Sequence, residues 1–171
     1  MTTQRPRCWV FDDDLNTDVM HPPQFFSLDP EVVKRGLFHG FDPALQPALR
    51  AGDILVGGRN FGCGSSRETS VQSLKLNQVG AIVAVSFARI FFRSATNRGL
   101  PCLTFARAED KQRVLAGQSV ELDLGALTLR TESGFAAPLT PPGAFIQQIW
   151  DAGGLLELLS REPATSSRSK R

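Results

Sequence analysis

The chain has 171 residues, 42% of them hydrophobic and 21% charged, with a formal net charge of +2. That is the size and make-up of one globular domain with a substantial core, and its charge is too near neutral to argue for a nucleic-acid or membrane-surface partner. Cys8, Cys63 and Cys102 are widely spaced and form no CxxC or CxxH pair. They read as reduced thiols of a cytoplasmic protein and offer no metal or iron–sulfur site of the usual spacing.

Taken in chain order, MTTQRPRCWVFDDD has no apolar stretch of the signal-peptide kind, and no later run approaches membrane-span length. RCWVF at 7–11 predicts a first strand, and 12–30, with DDD, NTD and PP, a long connection. Asp29 and Pro30 stand in helix-opening order before a short helix over 29–38. Pro47 leaves 43–53 irregular or a single broken turn, and DILVGG at 53–58 predicts a buried strand. Helices are expected at about 66–78 and 87–99, with apolar strands at 81–86 and 101–105. Strand, helix, strand, helix, strand in this order calls for parallel pairing through one-handed crossovers. A helical turn over 108–116, a short β-meander over 119–139 and a closing helix over 141–160, broken at Gly153-Gly154, complete the reading. The expected fold class is α/β: one domain over 1–160, with a partly parallel sheet, flanking helices and a β-meander. Residues 161–171, REPATSSRSKR, read as a disordered basic tail.

Two stretches invite chemistry. In the acidic one, Asp12, Asp14, Asn16 and Asp18 alternate, but a calcium loop of the EF-hand type needs Gly and Glu where Thr17 and Pro23 stand. Asp12 to Asp14 read instead as a turn held by side-chain bonds to nearby backbone N–H groups. The other is GGRNFGCGSSRETS at 57–70. It lacks the lysine of a phosphate-binding loop, and its glycines lie upstream of both serines, which excludes a GxSxG elbow. Cys63 lies just before a helix start, where a thiol pKa can fall, but a small packing role suits it better. Ser65 and Glu68 have the spacing of a helix capping box.

A cap alone leaves three features unexplained. Gly62 and Gly64 bring backbone close to something, Ser66 adds a second hydroxyl, and Arg67 places a cation in a first helical turn, where the helix dipole disfavours it. Amides, a hydroxyl and a guanidinium together suit a carboxylate. Phe87, Ile90 and Phe91 read as packing beneath this site, with Arg93 or Arg98 adding positive field nearby.

NTDVMHPPQFF, GRNFGCGSSRE and AIVAVSFARIFFRSATNRGLP, in this order, resemble the small subunit of 3-isopropylmalate dehydratase, a family similar to the swivelling C-terminal domain of aconitase. The resemblance covers roughly residues 8 to 160. It implies a hydro-lyase of two chains, in which a separate large subunit carries a [4Fe–4S] cluster and this chain binds no cofactor by itself. It implies Ser66 as the catalytic base, with Ser65 and Arg67 binding the carboxylate of a small dicarboxylate substrate. Thr17 and Asp18 take a supporting role, as do Gly62 and Gly64. The family's substrate-selecting loop falls on Phe25, Phe26, Ser27 and Leu28. Phe25 departs from the family's tyrosine, and the arginine found in relatives that act on longer tricarboxylates is missing, since no Arg occurs between 8 and 34. Leu28 suits an alkyl substituent. The resemblance therefore points to isopropylmalate isomerisation in leucine biosynthesis. The small subunit of an alkylmalate, citraconate or maleate hydratase, or a non-catalytic binding module on the same fold, stands as the alternative.

Overall fold

The computed structural model describes residues 5–65 and 67–161. Strands β1 (Cys8–Val10), β2 (Ile54–Gly57), β3 (Ala81–Ala84) and β4 (Cys102–Thr104) form a parallel sheet in the order β1-β2-β3-β4. Leu55 pairs with Trp9 on one side and Ile82 on the other; Val83 lies between Val56 and Leu103. Both faces are apolar, and the two-residue period of a strand deals the side chains to separate cores. Leu55, Ile82, Ala84 and Cys102 enter one cluster; Ile54, Val56, Ala81, Val83 and Leu103 enter the other.

Each strand lies beside its neighbour in sequence, so crossovers of one hand deposit their helices on one face. These are α1 (Thr17–Met20), α2 (Pro30–Arg35), α3 (Leu45–Ala48), α4 (Glu68–Leu76) and α5 (Arg89–Asn97). Met20, Leu74, Phe91 and Ala95 accordingly share the first core. The antiparallel meander β5 (Val120–Asp123), β6 (Thr128–Thr131) and β7 (Ala136–Pro138) closes the other face with Val120, Leu129 and Ala137, joined by Trp150 of α6 (Ala144–Ala152). Gly153, at φ 90°, ends α6 before α7 (Leu155–Arg161), the break expected at the paired glycines. The expected basic tail lies, from residue 162 on, outside the described residues.

Three local outcomes differ from expectation. The connection over 12–30 is not uniformly irregular: Asn16 Oδ1 accepts the Asp18 N–H at 2.8 Å and starts α1, and Pro23–Phe25 forms a 3-10 turn. Asp13 and Asp14 bond across to the glycine segment rather than locally, Asp13 Oδ1 accepting from the Arg59 N–H at 2.6 Å and Asp14 Oδ1 from Asn60 Nδ2 at 2.9 Å. Helix α4 ends at Leu76, short of the expected 78. Gln78 takes the left-handed position at φ 57°, and the Val79 N–H donates back to the Leu74 carbonyl at 3.1 Å.

Candidate active site

Two chain segments run side by side at the carboxyl end of the parallel sheet. The Gly62 N–H donates to the Leu15 carbonyl at 2.9 Å, and the Thr17 N–H to the Cys63 carbonyl at 2.8 Å. The Thr17 hydroxyl then donates to the Ser65 carbonyl at 2.7 Å, from a residue only 2% exposed. Thr17 thus holds the glycine turn twice, two residues apart, and fixes where the chain enters α4. The turn needs its glycines. Gly62 has φ 80°, and a β-carbon there would overlap the Phe91 ring; Gly64 has φ 93°, and one there would meet Asn16 Oδ1 at 2.6 Å.

The expected capping box does not form. Arg67, not Ser65, is the N-cap residue of α4, without a side-chain cap bond, and Glu68 turns away from the helix start. Its carboxylate accepts from Arg98 Nε and, at 3.0 Å, from Ser94 Oγ, which ties the first turn of α4 to α5. A long-range cation outcompetes the local amide, because a charged pair gains more than a neutral donor does. Arg98 is thereby spent on Glu68.

Arg67 stays without an ion-pair partner among the described residues. Its guanidinium lies 5.1 Å from the centre of the Phe26 ring, an arrangement worth about 0.5–1 kcal/mol at an exposed site. Phe26 in turn stacks on His21 at 5.6 Å, and Phe25 packs against His39 at 4.5 Å. These ring contacts place the segment 25–28 beside Arg67. Ser27 Oγ accepts the Asp29 N–H at 3.0 Å, and Leu28 is fully exposed.

His21 is wholly buried; its Nε2 bonds the Val33 carbonyl at 2.9 Å, and its Nδ1 has no partner among the described residues. Burial lowers its pKa below the ordinary histidine value, with the Val33 bond opposing in part. The unfolded chain therefore binds a proton, near pH 6.5 and below, that the fold excludes. Stability is complete above about pH 6.5 and falls as the pH drops from there toward the folded pKa. Urea unfolding between pH 7.5 and 5.5 is expected to show this loss in the wild type and a shallower one in His21→Gln; equal slopes would remove His21 as its source.

A cleft of about 540 Å³ opens here. Thr17, Gly62, Gly64 and Arg67 line one wall, and Arg89, Ile90 and Arg93 of α5 stand opposite. Of the residues singled out by sequence, those four meet Ile90, Phe91 and Arg93 in the cleft, Ile90 standing 60% exposed rather than packed beneath the site. Arg98, Asp18, Ser65 and the segment 25–28 do not line it, although Phe26 touches Arg67 and Thr17 holds Ser65. Ser66 lies outside the described residues. Arg89 was missed. A cation four residues before another, at a helix start where the dipole opposes it, was the available signal.

Cys63 does not have the lowered pKa that a helix start can confer. Burial, and secondarily the charge of Asp14, push its thiol up, so it stays protonated at neutral pH. Cys8 and Cys102 are buried in the two cores on opposite faces of the sheet, so no three thiols converge. Among the described residues no group of three or more His, Cys, Asp or Glu side chains could hold a metal ion. No described helix is long and apolar enough to cross a membrane.

The fold and this glycine-serine turn define a class: a family profile, "Aconitase C-terminal domain", matches residues 45–108. The chain is 43% identical to 3-isopropylmalate dehydratase small subunit 2 of Methanopyrus kandleri, over 92% of its own length and 93% of that protein's. It is 37% identical to the 3-isopropylmalate dehydratase small subunit of Moorella thermoacetica, covering 94% and 96%. A crystal structure of 3-isopropylmalate dehydratase (LeuD) from Methanocaldococcus jannaschii superimposes with a TM-score of 0.83 at 33% identity, covering 91% of this chain and 92% of that one. The chain belongs to the family of 3-isopropylmalate dehydratase small subunits.

Proposed function

We propose that this chain is the small subunit of a 3-isopropylmalate dehydratase, a hydro-lyase that interconverts 2- and 3-isopropylmalate by dehydration and rehydration in leucine biosynthesis, in the cytoplasm and only in complex with a large subunit. One observation carries the reading beyond kinship: Arg67 stands in the cleft with no carboxylate paired to it among the described residues, directly after Ser66 in sequence and beside the turn that Thr17 holds. A cation kept free at a helix start against the dipole is suited to an anion that arrives from outside.

In this reading Arg67 and Ser65 hold the substrate carboxylate. Ser66 Oγ accepts the proton from the adjacent carbon, the C–H pair becomes the new double bond, and hydroxide leaves from the neighbouring carbon. Rehydration returns the proton and a hydroxide, together one water, with the positions exchanged. The [4Fe–4S] cluster expected on the large subunit supplies the Lewis acid for the departing hydroxyl. Proton removal leaves negative charge on the carboxylate, where Arg67 stabilises it. A serine is a poor base in water, so its alkoxide needs the guanidinium, the turn amides and a site closed by the partner. Asp18, whose Oδ1 is buried without a partner among the described residues, keeps a supporting place. Gly62 and Gly64 support by letting the turn approach Phe91 and Asn16.

Co-expression with a large subunit bearing three cluster cysteines tests this. A brown, oxygen-sensitive complex that forms and consumes the conjugated acid is expected; a colourless chain that binds no such partner counts against it. The exposed segment ending at Leu28 is the expected substrate selector. Leu28→Arg is expected to shift kcat/KM by about tenfold from alkylmalates toward acids with a third carboxylate. An unchanged ratio would remove the segment from that role.

A further inference from the structure

The wall opposite Arg67 carries charges that neither the fold nor the proton transfer uses. Arg89 and Arg93 lie four residues apart on α5, on one helix face, and both line the cleft. Neither has an ion-pair partner among the described residues. The nearby acid, Glu68, is committed to Arg98 and Ser94. Like charges at this spacing repel, and Arg89 also opens its helix against the dipole with no acidic residue in that first turn. The folded chain thus keeps two cations close, facing a third across the cleft, without an internal anion among the described residues.

An alkylmalate carries two carboxylates, and Arg67 accounts for one. We propose that Arg89 and Arg93 bind the second, so that the substrate spans the cleft between the two walls. This rests on the dehydratase reading above. Ile90, 60% exposed between the two arginines in sequence, adds an apolar contact beside the charged end. Binding of this carboxylate is the same before and after proton transfer, so its loss should appear in KM rather than kcat.

The test is the reconstituted complex with an Arg89→Gln/Arg93→Gln small subunit, assembly being checked by gel filtration. KM for the alkylmalate is expected to rise about 10–100-fold, with kcat within about threefold of wild type. Inhibition by 2-isopropylsuccinate, a dicarboxylate, should weaken in parallel. Inhibition by 4-methylpentanoate, a monocarboxylate, should not. The Arg89→Lys/Arg93→Lys form should recover most of the affinity. Unchanged KM in an active complex overturns the assignment alone, as does a double variant that no longer binds the large subunit, which would place both arginines at the subunit boundary. A wild-type complex that turns over no alkylmalate overturns the dehydratase reading and this proposal with it.

Discussion

Ser66→Ala is expected to lower kcat of the assembled enzyme by about 10²–10⁴-fold, the range a positioned general base contributes. KM should change little, because Arg67 and the turn amides hold the carboxylate in either variant. The complex should still form, since a hydroxyl is removed and no bulk is added. Single-turnover kinetics with a substrate deuterated at the transferred position separates this from a binding defect. A Ser66→Ala complex that assembles and turns over near the wild-type rate would end the role of this serine, whatever the family relationship. Ser66→Cys makes a useful companion, because it keeps a titratable group at the position while changing its pKa and size.

Gly62→Ala should lose about 2–4 kcal/mol of stability, which at this chain length is a fall in Tm of about 5–15 °C. Two costs add. An alanine at φ 80° is strained, and its β-carbon would overlap Phe91, itself 4% exposed and packed at 5.5 Å against Phe61. Gly117 supplies the control, with φ 81° and no atom within 4 Å of an added β-carbon. Gly117→Ala should pay only the backbone strain, about 1 kcal/mol. Calorimetry on the two variants therefore isolates the steric part. Equal losses would mean that Phe91 gives way freely and that the turn is not pinned to the core. Relief by Phe91→Leu in the Gly62→Ala background would locate the clash directly.

The sheet was legible because its signal is local. RCWVF, ILVG, AIVA and PCLTF are apolar enough for burial on both faces, and the intervening helices forced parallel pairing. The meander and the break at Gly153-Gly154 announced themselves through turn chemistry. At the site, the cluster of Gly62, Gly64 and Arg67 was legible because each residue violates a local preference. What local rules satisfied was misread. Ser65 and Glu68 fit a capping box, but the competing partner, Arg98, is 30 residues away and only the fold brings it near. The bond from Thr17 to Ser65 spans 48 residues and has no trace in either segment alone. Helix α1 did have a signal, Asn16 followed by Thr17 and Asp18, which the surrounding acidic run obscured. Gln78 hid the end of α4, because a left-handed position usually declares itself with glycine.

As half of the proposed hydro-lyase site, this chain is expected to be inactive by itself. The most direct test follows conversion of 3-isopropylmalate to 2-isopropylmalate by the purified chain, by its large subunit and by an anaerobic mixture of the two. No turnover is expected by either alone, robust turnover by the mixture, and loss of that turnover when Ser66→Ala replaces the wild-type chain. Turnover by the large subunit without this chain, or none from the reconstituted and cluster-loaded mixture, would contradict it.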